Sequence, residues 1–305
     1  VRLSAPVVSV GNVAMGGTGK TPVSLWLCRA ALASGLTPCV LTRGYRASPP
    51  SLPWRVGPHD LPGVCGDEPL LLKRACPEAE VVVDPVRRRS GLWACEALAP
   101  DLFVLDDGFQ HLALERDLDL CLLRTEDLGD AWGRTFPAGY WREGETALRR
   151  AHAFLIKTPD GGLGSLTAQA RDRLASLERP VFAFTLAAQA LLPLNGGPPV
   201  HDLGQEPYVV ACGVAHPGQV AHTAQLLLGY PPEEVLVFPD HHGFDTADLR
   251  SLRARAGQIG AGHVLVTAKD AVKIDPSLLP GGLVLDVTAA FGESLATQHD
   301  FSGFM

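Results

Sequence analysis

The chain has 305 residues, 46% hydrophobic and 19% charged, so it can bury cores of ordinary size, and disorder along its whole length is excluded. Lys and Arg number 26 against 33 Asp and Glu, for a formal charge of −7, which excludes a global basic footprint and leads us to expect no nucleic-acid partner. Seven cysteines without a single C-x-x-C pair read as reduced thiols, mostly in the core, not as a disulfide or zinc framework.

In chain order, short β-branched runs alternate with longer amphipathic stretches. Residues 7–10 predict a strand. Residues 22–33 predict a helix closed by Gly35, with Pro22 in the first turn, where its missing N–H costs nothing. Residues 39–41, 81–83, 102–105, 118–123 and 153–156 predict further strands. Strands separated by helices imply βαβ units and a mainly parallel sheet with helices on both faces. Composition shifts over 158–206, with turn chemistry at 159–162 and a Pro- and Gly-rich stretch at 193–200. Between these lie a helix at about 165–178 and a strand at 181–184. Beyond 207 the rhythm resumes, with strands at 208–211, 235–237, 264–267 and 283–287 and a helix at 218–228. Asp245 caps a further helix running to about 258, with Asp248 near the positive end of its dipole. We expect two domains, 1–184 and a smaller α/β domain over 185–305.

No run of ~18 apolar residues is present to span a bilayer, and six residues ahead of the first strand are too few for a signal peptide. A strand that begins so soon after a first residue that is Val leads us to expect missing chain upstream, or a start assigned late.

The strongest local signal is Gly16-Gly17-Thr18-Gly19-Lys20-Thr21 between a predicted strand and a predicted helix. Glycines let backbone N–H groups curl around phosphate oxygens, and the helix N-terminus adds its dipole. Lys20 is expected on the β- and γ-phosphates and the Thr21 hydroxyl on Mg²⁺. Ala14 stands where the strict P-loop pattern has Gly, but the strand–loop–helix context makes this a P-loop NTPase-like fold. Such a loop needs a carboxylate at the end of a neighbouring strand. Residues 102–105 are apolar and run into Asp106 and Asp107, the expected metal pair.

Three more segments are unusually polar for their positions. Arg43, in Thr42-Arg43-Gly44-Tyr45, ends the second strand at the sheet edge where open α/β sheets bind ligands. Asp67, in Gly66-Asp67-Glu68-Pro69, reads from the residues alone as a helix cap. Asp240-His241-His242 follows a strand of the second domain and lacks the partners of a zinc site.

Taken in order, these segments, with Gly11-Asn12, Asp106-Asp107-Gly108-Phe109-Gln110-His111, Pro137-Ala138-Gly139, Arg142-Glu143 and Thr267-Ala268-Lys269-Asp270-Ala271-Val272-Lys273, resemble the tetraacyldisaccharide 4′-kinase family of the lipid A pathway from residue 7 to about 273. The resemblance implies ATP-dependent phosphorylation of the 4′-hydroxyl of a tetraacylated glucosamine disaccharide 1-phosphate, with Mg²⁺, by two α/β/α domains that close over the site. It implies Asp67 as general base with His241 as its helper, and Arg43, Gln110, His111, Arg142 and Glu143 around the phosphates and sugar. Asp270 is a weaker candidate whose role stays open. It further implies a peripheral enzyme at the cytoplasmic face of the inner membrane, and no stable protein partner. The chain departs from the family pattern at Met15, Gly144, Ala268 and Tyr140-Trp141, and carries no membrane-associated helix before residue 7. Tyr140 and Trp141 are expected to alter sugar or acyl contacts.

The alternative is a P-loop nucleotide-hydrolysing switch of the metallochaperone or partitioning type. Against it, Met15 occupies the position of that class's signature Lys, and Thr267-Ala268-Lys269-Asp270 lacks the Asn of a guanine-specifying motif. A non-enzymatic nucleotide-binding scaffold is a third reading.

Overall fold

The structure, a computed structural model, describes residues Val1–Met305. Its strands are the Val-, Leu- and Ala-rich runs, and most are buried over the greater part of their length, as parallel strands covered on both faces are. The chain divides into two units, Val1–Leu186 with Ala289–Met305, and Ala187–Thr288.

The first unit contains β1 (Val7–Asn12), α1 (Lys20–Ala33), β2 (Pro38–Thr42), β3 (Trp54–Arg55), α2 (Pro62–Cys65), α3 (Asp67–Ala75), β4 (Glu80–Val83), α4 (Arg87–Ala97), β5 (Leu102–Asp106), β6 (Leu118–Arg124), β7 (Ala153–Lys157), α5 (Ala168–Ser176) and the first part of β8 (Val181–Pro193). Its strand order is β8-β7-β6-β1-β5-β2-β4-β3. Every pair is parallel except the edge strand β3 on β4. β1 thus lies between β5 and β6, while the chain leaves it through α1 for β2. Its carboxyl end is a point where connections diverge, and open α/β sheets place ligands there.

One core cluster packs Ala94 of α4 against Val7, Cys39, Leu41, Val82, Phe103 and Leu105 of four strands. Another gathers Val13, Ala14, Phe109, Trp141, Leu148 and Phe154. That second cluster anchors two irregular segments, the loop after β5 and residues 129–150, beside the head of β1.

The second unit contains β9 (Tyr208–Cys212), α6 (Pro217–Leu228), β10 (Glu234–Val237), α7 (Thr246–Gln258), β11 (His263–Thr267), α8 (Ala268–Ala271) and the first part of β12 (Gly282–Leu295). Its strands run β10-β9-β11-β12, all parallel. Asp245 caps α7 in a reciprocal box with Asp248, as its sequence predicts.

Two expectations need correction. β8 and β12 are 13 and 14 residues long, well beyond 181–184 and 283–287. Their extensions, such as Leu186-Ala187-Ala188-Gln189-Ala190, are poor in β-branched residues, so composition carried no strand signal there. The boundary is also not a single cut. Residues 289–305 belong to the first unit, where Phe301 of α9 (Phe301–Phe304) stacks on Phe291 with ring centroids 4.0 Å apart and approaches Trp26 of α1 at 5.1 Å.

Candidate active site

β1 ends at Asn12 and α1 begins at Lys20, two residues earlier than predicted, and residues 13–19 form the phosphate loop between them. Gly19 is the helix cap at φ 92°, a left-handed conformation that residues with a Cβ resist. Lys20 and Thr21 therefore form the first turn, where backbone N–H groups lack intrahelical partners and the dipole is positive. Gly16 and Gly17 are exposed at the loop's outer side, and Thr18 is buried. Asn12, fully buried, braces the loop. Its Nδ2 donates to Thr18 Oγ1 at 3.0 Å, its Oδ1 accepts from Lys20 Nζ at 3.5 Å, and its carbonyl accepts from Gln110 Nε2 at 2.8 Å. The Thr18 hydroxyl is thereby used inside the loop, leaving its backbone N–H for a phosphate.

The loop after β5 lies directly on β1. A Cβ at Gly11 would come within 2.5 Å of the Phe109 backbone nitrogen, so glycine is required for that approach. Asp106 and Asp107 sit where β5 meets the loop, Asp107 at φ 52°. Lys20 Nζ is 3.4 Å from Asp107 Oδ1. Arg142 Nη1 donates to both Asp107 oxygens at 3.0 and 3.1 Å and to Gln110 Oε1 at 3.3 Å. Arg87 Nη2 donates to the Asp107 carbonyl at 3.2 Å, and Ser24 Oγ donates to Asp106 Oδ1 at 3.0 Å.

The two neighbouring acids differ sharply. Burial, reinforced by Glu68 and Asp107, pushes the Asp106 carboxyl up to about 7. Burial also pushes Asp107 upward, but Lys20 and Arg142 outweigh it and hold that carboxyl below its ordinary range. A buried acid raised by two further acids is a donor set that a divalent cation would relieve. No group of three or more His, Cys, Asp and Glu side chains forms a metal cage. Mg²⁺ does not need one, since it is commonly held by one or two carboxylates together with substrate phosphates and water.

The other predicted residues fall as follows. Arg43, exposed past the end of β2, is an electrostatic neighbour of Arg87. His111 Nε2 is buried without a hydrogen-bond partner, and burial, Arg87 and Arg116 together hold its ring pKa down. Glu143 does not join Arg142. It accepts from Arg150 Nη2 at 2.7 Å, and the same nitrogen reaches the Phe109 carbonyl at 3.4 Å. The capping reading of Asp67 does not hold, because Gly66, at φ 92°, occupies the cap position and Asp67 is the first residue of α3. Trp141 is wholly buried in the core, so only Tyr140, 62% exposed, faces outward. His241 lies in the second unit, at the end of β10.

Arg87, Ser24 and Glu68 were missed. Ser24 is four residues after Lys20 and so shares its helix face, a signal available in the sequence. Arg87 opens a run of three arginines, and only the fold tells which one turns inward, 6% exposed.

A phosphate loop at the head of β1, two carboxylates at the end of β5, and Lys20 and Arg142 over those carboxylates define a P-loop phosphotransferase. The family model for tetraacyldisaccharide-1-P 4′-kinase matches residues 1–301, and the chain belongs to that family. Tetraacyldisaccharide 4′-kinases of Nitratidesulfovibrio vulgaris and Oleidesulfovibrio alaskensis are 46% identical over 98% of this chain and 83% of theirs, and 52% identical over 88% and 74%. The crystal structure of an "apo" form of LpxK from Aquifex aeolicus in complex with ATP superposes with a TM-score of 0.74 at 29% identity, covering 96% of this chain and 86% of that one. The hydrolysing-switch alternative is set aside.

Proposed function

We propose that the chain transfers the γ-phosphoryl group of ATP to the 4′-hydroxyl of a tetraacylated glucosamine disaccharide 1-phosphate, a step of lipid A biosynthesis. The observation that carries this is the convergence of Lys20, Asp106, Asp107, Gln110 and Arg142 at the phosphate loop of a chain of this family.

In the reaction the sugar oxygen forms a bond to the γ-phosphorus, the bond from that phosphorus to the β,γ-bridging oxygen breaks, and ADP leaves. Catalysis is mainly positioning and charge neutralisation. The backbone N–H groups of Gly16, Gly17, Thr18 and Gly19 cradle the phosphates. Lys20 carries its charge toward the migrating group, with Arg142 on the same Asp107 carboxylate, and Arg43 adds a further positive charge at the sheet edge. Thr21, Asp106 and Asp107 would hold Mg²⁺, which when bound neutralises phosphate charge. Asp67 accepts the proton of the attacking hydroxyl and His241 assists it. Gln110, His111 and Glu143 line the phosphate and sugar region.

We further propose a peripheral enzyme that meets its lipid at the cytoplasmic face of the inner membrane. No helix is long and apolar enough to cross a membrane, and a tetraacylated substrate stays in a bilayer.

The test is incubation with γ-labelled ATP and a panel of lipid disaccharides. Label should appear at the 4′-position of the tetraacylated disaccharide 1-phosphate. Release of inorganic phosphate alone, with every acceptor unlabelled, would return the chain to the hydrolysing class.

A further inference from the structure

The family resemblance includes Gly11-Asn12 but gives Asn12 no role. Asn is depleted from strands, yet Asn12 ends β1, which is buried at every position, and is itself 0% exposed. A buried amide costs free energy unless its donor and acceptor atoms are used. Here they are used within the first unit. Asn12 Nδ2 donates to Thr18 Oγ1 at 3.0 Å, Oδ1 accepts from Lys20 Nζ at 3.5 Å, and the backbone carbonyl accepts from Gln110 Nε2 at 2.8 Å. Gln110 Oε1 in turn accepts from Arg142 Nη1 at 3.3 Å. Asn12 thus joins Lys20 and, through Gln110, Arg142, the two cations that both pair with Asp107.

The chemistry of the partners orients both amides. An ammonium and a guanidinium only donate, and a backbone carbonyl only accepts. The Asn12 oxygen therefore faces Lys20, which leaves Nδ2 for Thr18. The Gln110 nitrogen faces the Asn12 carbonyl, which leaves Oε1 for Arg142. Turning Asn12 over would set donor against donor at Lys20, and turning Gln110 over would set like against like at both its ends.

Both contacts of Lys20 are long, 3.5 Å to Asn12 and 3.4 Å to Asp107 Oδ1. A neutral amide guides the ammonium without neutralising it. A carboxylate at the same place would form a charge-assisted pair in a buried site and compete with phosphate oxygens for the same cation. We infer that Asn12 is a positioning residue that sets Thr18 and Lys20 of the phosphate loop, and through Gln110 also Arg142, and that the position requires an uncharged amide because the nucleotide phosphates need the full charge of Lys20. This rests on ATP as the phosphoryl donor and not on the identity of the acceptor.

Equilibrium binding of a fluorescent ATP analogue in the presence of Mg²⁺ reads the nucleotide side alone. Asn12→Asp keeps the shape of the side chain, accepts from Lys20 and from the Thr18 hydroxyl, and retains the backbone carbonyl for Gln110. A residue that serves only the fold would leave binding unchanged in the folded variant. The added charge should instead raise Kd at least about tenfold, with the circular dichroism of the wild type. A folded Asn12→Asp chain with wild-type Kd overturns the inference. If Asn12→Asp does not fold, Asn12→Ser, which brings no charge into the core, carries the test: its Kd should rise severalfold, and a wild-type Kd overturns the inference. Lys20→Met and Asn12→Ser should be less than additive on Kd, because Asn12 acts in part through Lys20, and full additivity overturns that route. These Kd changes in a chain that labels no lipid disaccharide leave the part given to Asn12 standing and refute the proposed transfer.

Discussion

Asp106 and Asp107 are adjacent in sequence and opposite in electrostatic character, and the difference predicts a stability profile. The unfolded Asp106 carboxyl titrates near 3.8 and the folded one near 7. Between these values the native state keeps a proton that the unfolded state has lost, so the stability from this group falls as pH rises through that window. Above 7 the whole cost of the buried charge is present. Asp106→Asn removes that charge while its side-chain oxygen still accepts from Ser24. The variant should melt above the wild type at about pH 8, with the difference closing toward pH 4, while phosphoryl transfer falls. Identical melting curves at both pH values would show that the burial cost is already compensated. Asp67 carries a second prediction at this scale. Asn in the first turn of α3 gives up about 0.3–1 kcal/mol of dipole interaction, and it cannot accept a proton. Asp67→Asn should leave the fold and KM for ATP nearly unchanged and lower kcat by ~10²–10⁴-fold, and a folded variant with near-normal kcat would remove Asp67 from the base role. Lys20 and the paired acids were legible because their spacing is fixed by a strand–loop–helix turn. Arg87 was not, because its place depends on which face of α4 meets the loop after β5, and that is a tertiary fact.

Among elements, α1 does two jobs. Its first turn faces the phosphate loop, and Trp26, two turns on, packs with Phe291 and Phe301. Phe301 is almost fully buried and also meets Phe182 at 5.2 Å. The last residues of the chain therefore brace the nucleotide helix from behind. Phe301→Ala should cost about 3–5 kcal/mol, as for other large aromatic truncations in a core, and should shift Trp26 fluorescence toward a more solvated spectrum. Both are read in one denaturant titration, and a variant with the wild-type midpoint would mean that this aromatic cluster collapses without loss. The parallel strands were readable as short apolar runs because burial on both faces leaves no room for polar alternation. The extended ends of β8 and β12 were not. Ala, Gln and Gly carry little strand preference, so their conformation comes from the sheet around them, and with it the return of residues 289–305 to the first unit.

For the molecule as a whole, the proposed contact with a bilayer makes a prediction at α4 of the first unit. Arg87 turns inward to the Asp107 carbonyl, while Val86 and Leu92 are 43% and 45% exposed. With Val1, Arg88 and Arg89 they line an open cavity of about 460 Å³. Arg89 is held by Asp84 at 2.6 and 2.8 Å, which leaves Arg88 beside the apolar side chains, a pairing that suits the boundary between acyl chains and anionic headgroups on the helix whose Arg87 reaches the Asp107 carbonyl. Burying one such side chain is worth about 1.5–3 kcal/mol, so placing a charge there should be felt strongly. The double change Val86→Asp and Leu92→Asp should raise KM for lipid acceptor carried in anionic vesicles at least about tenfold, since 1.4 kcal/mol is a factor of ten. With acceptor dispersed in detergent, kcat and KM for ATP should match the wild type, because neither side chain belongs to the phosphate loop or its acids. Vesicle co-sedimentation of the two proteins reads the same effect without catalysis. Equal sedimentation and equal vesicle KM would remove this face as a membrane contact, and a loss of activity in detergent would show that the substitutions had disturbed α4 itself.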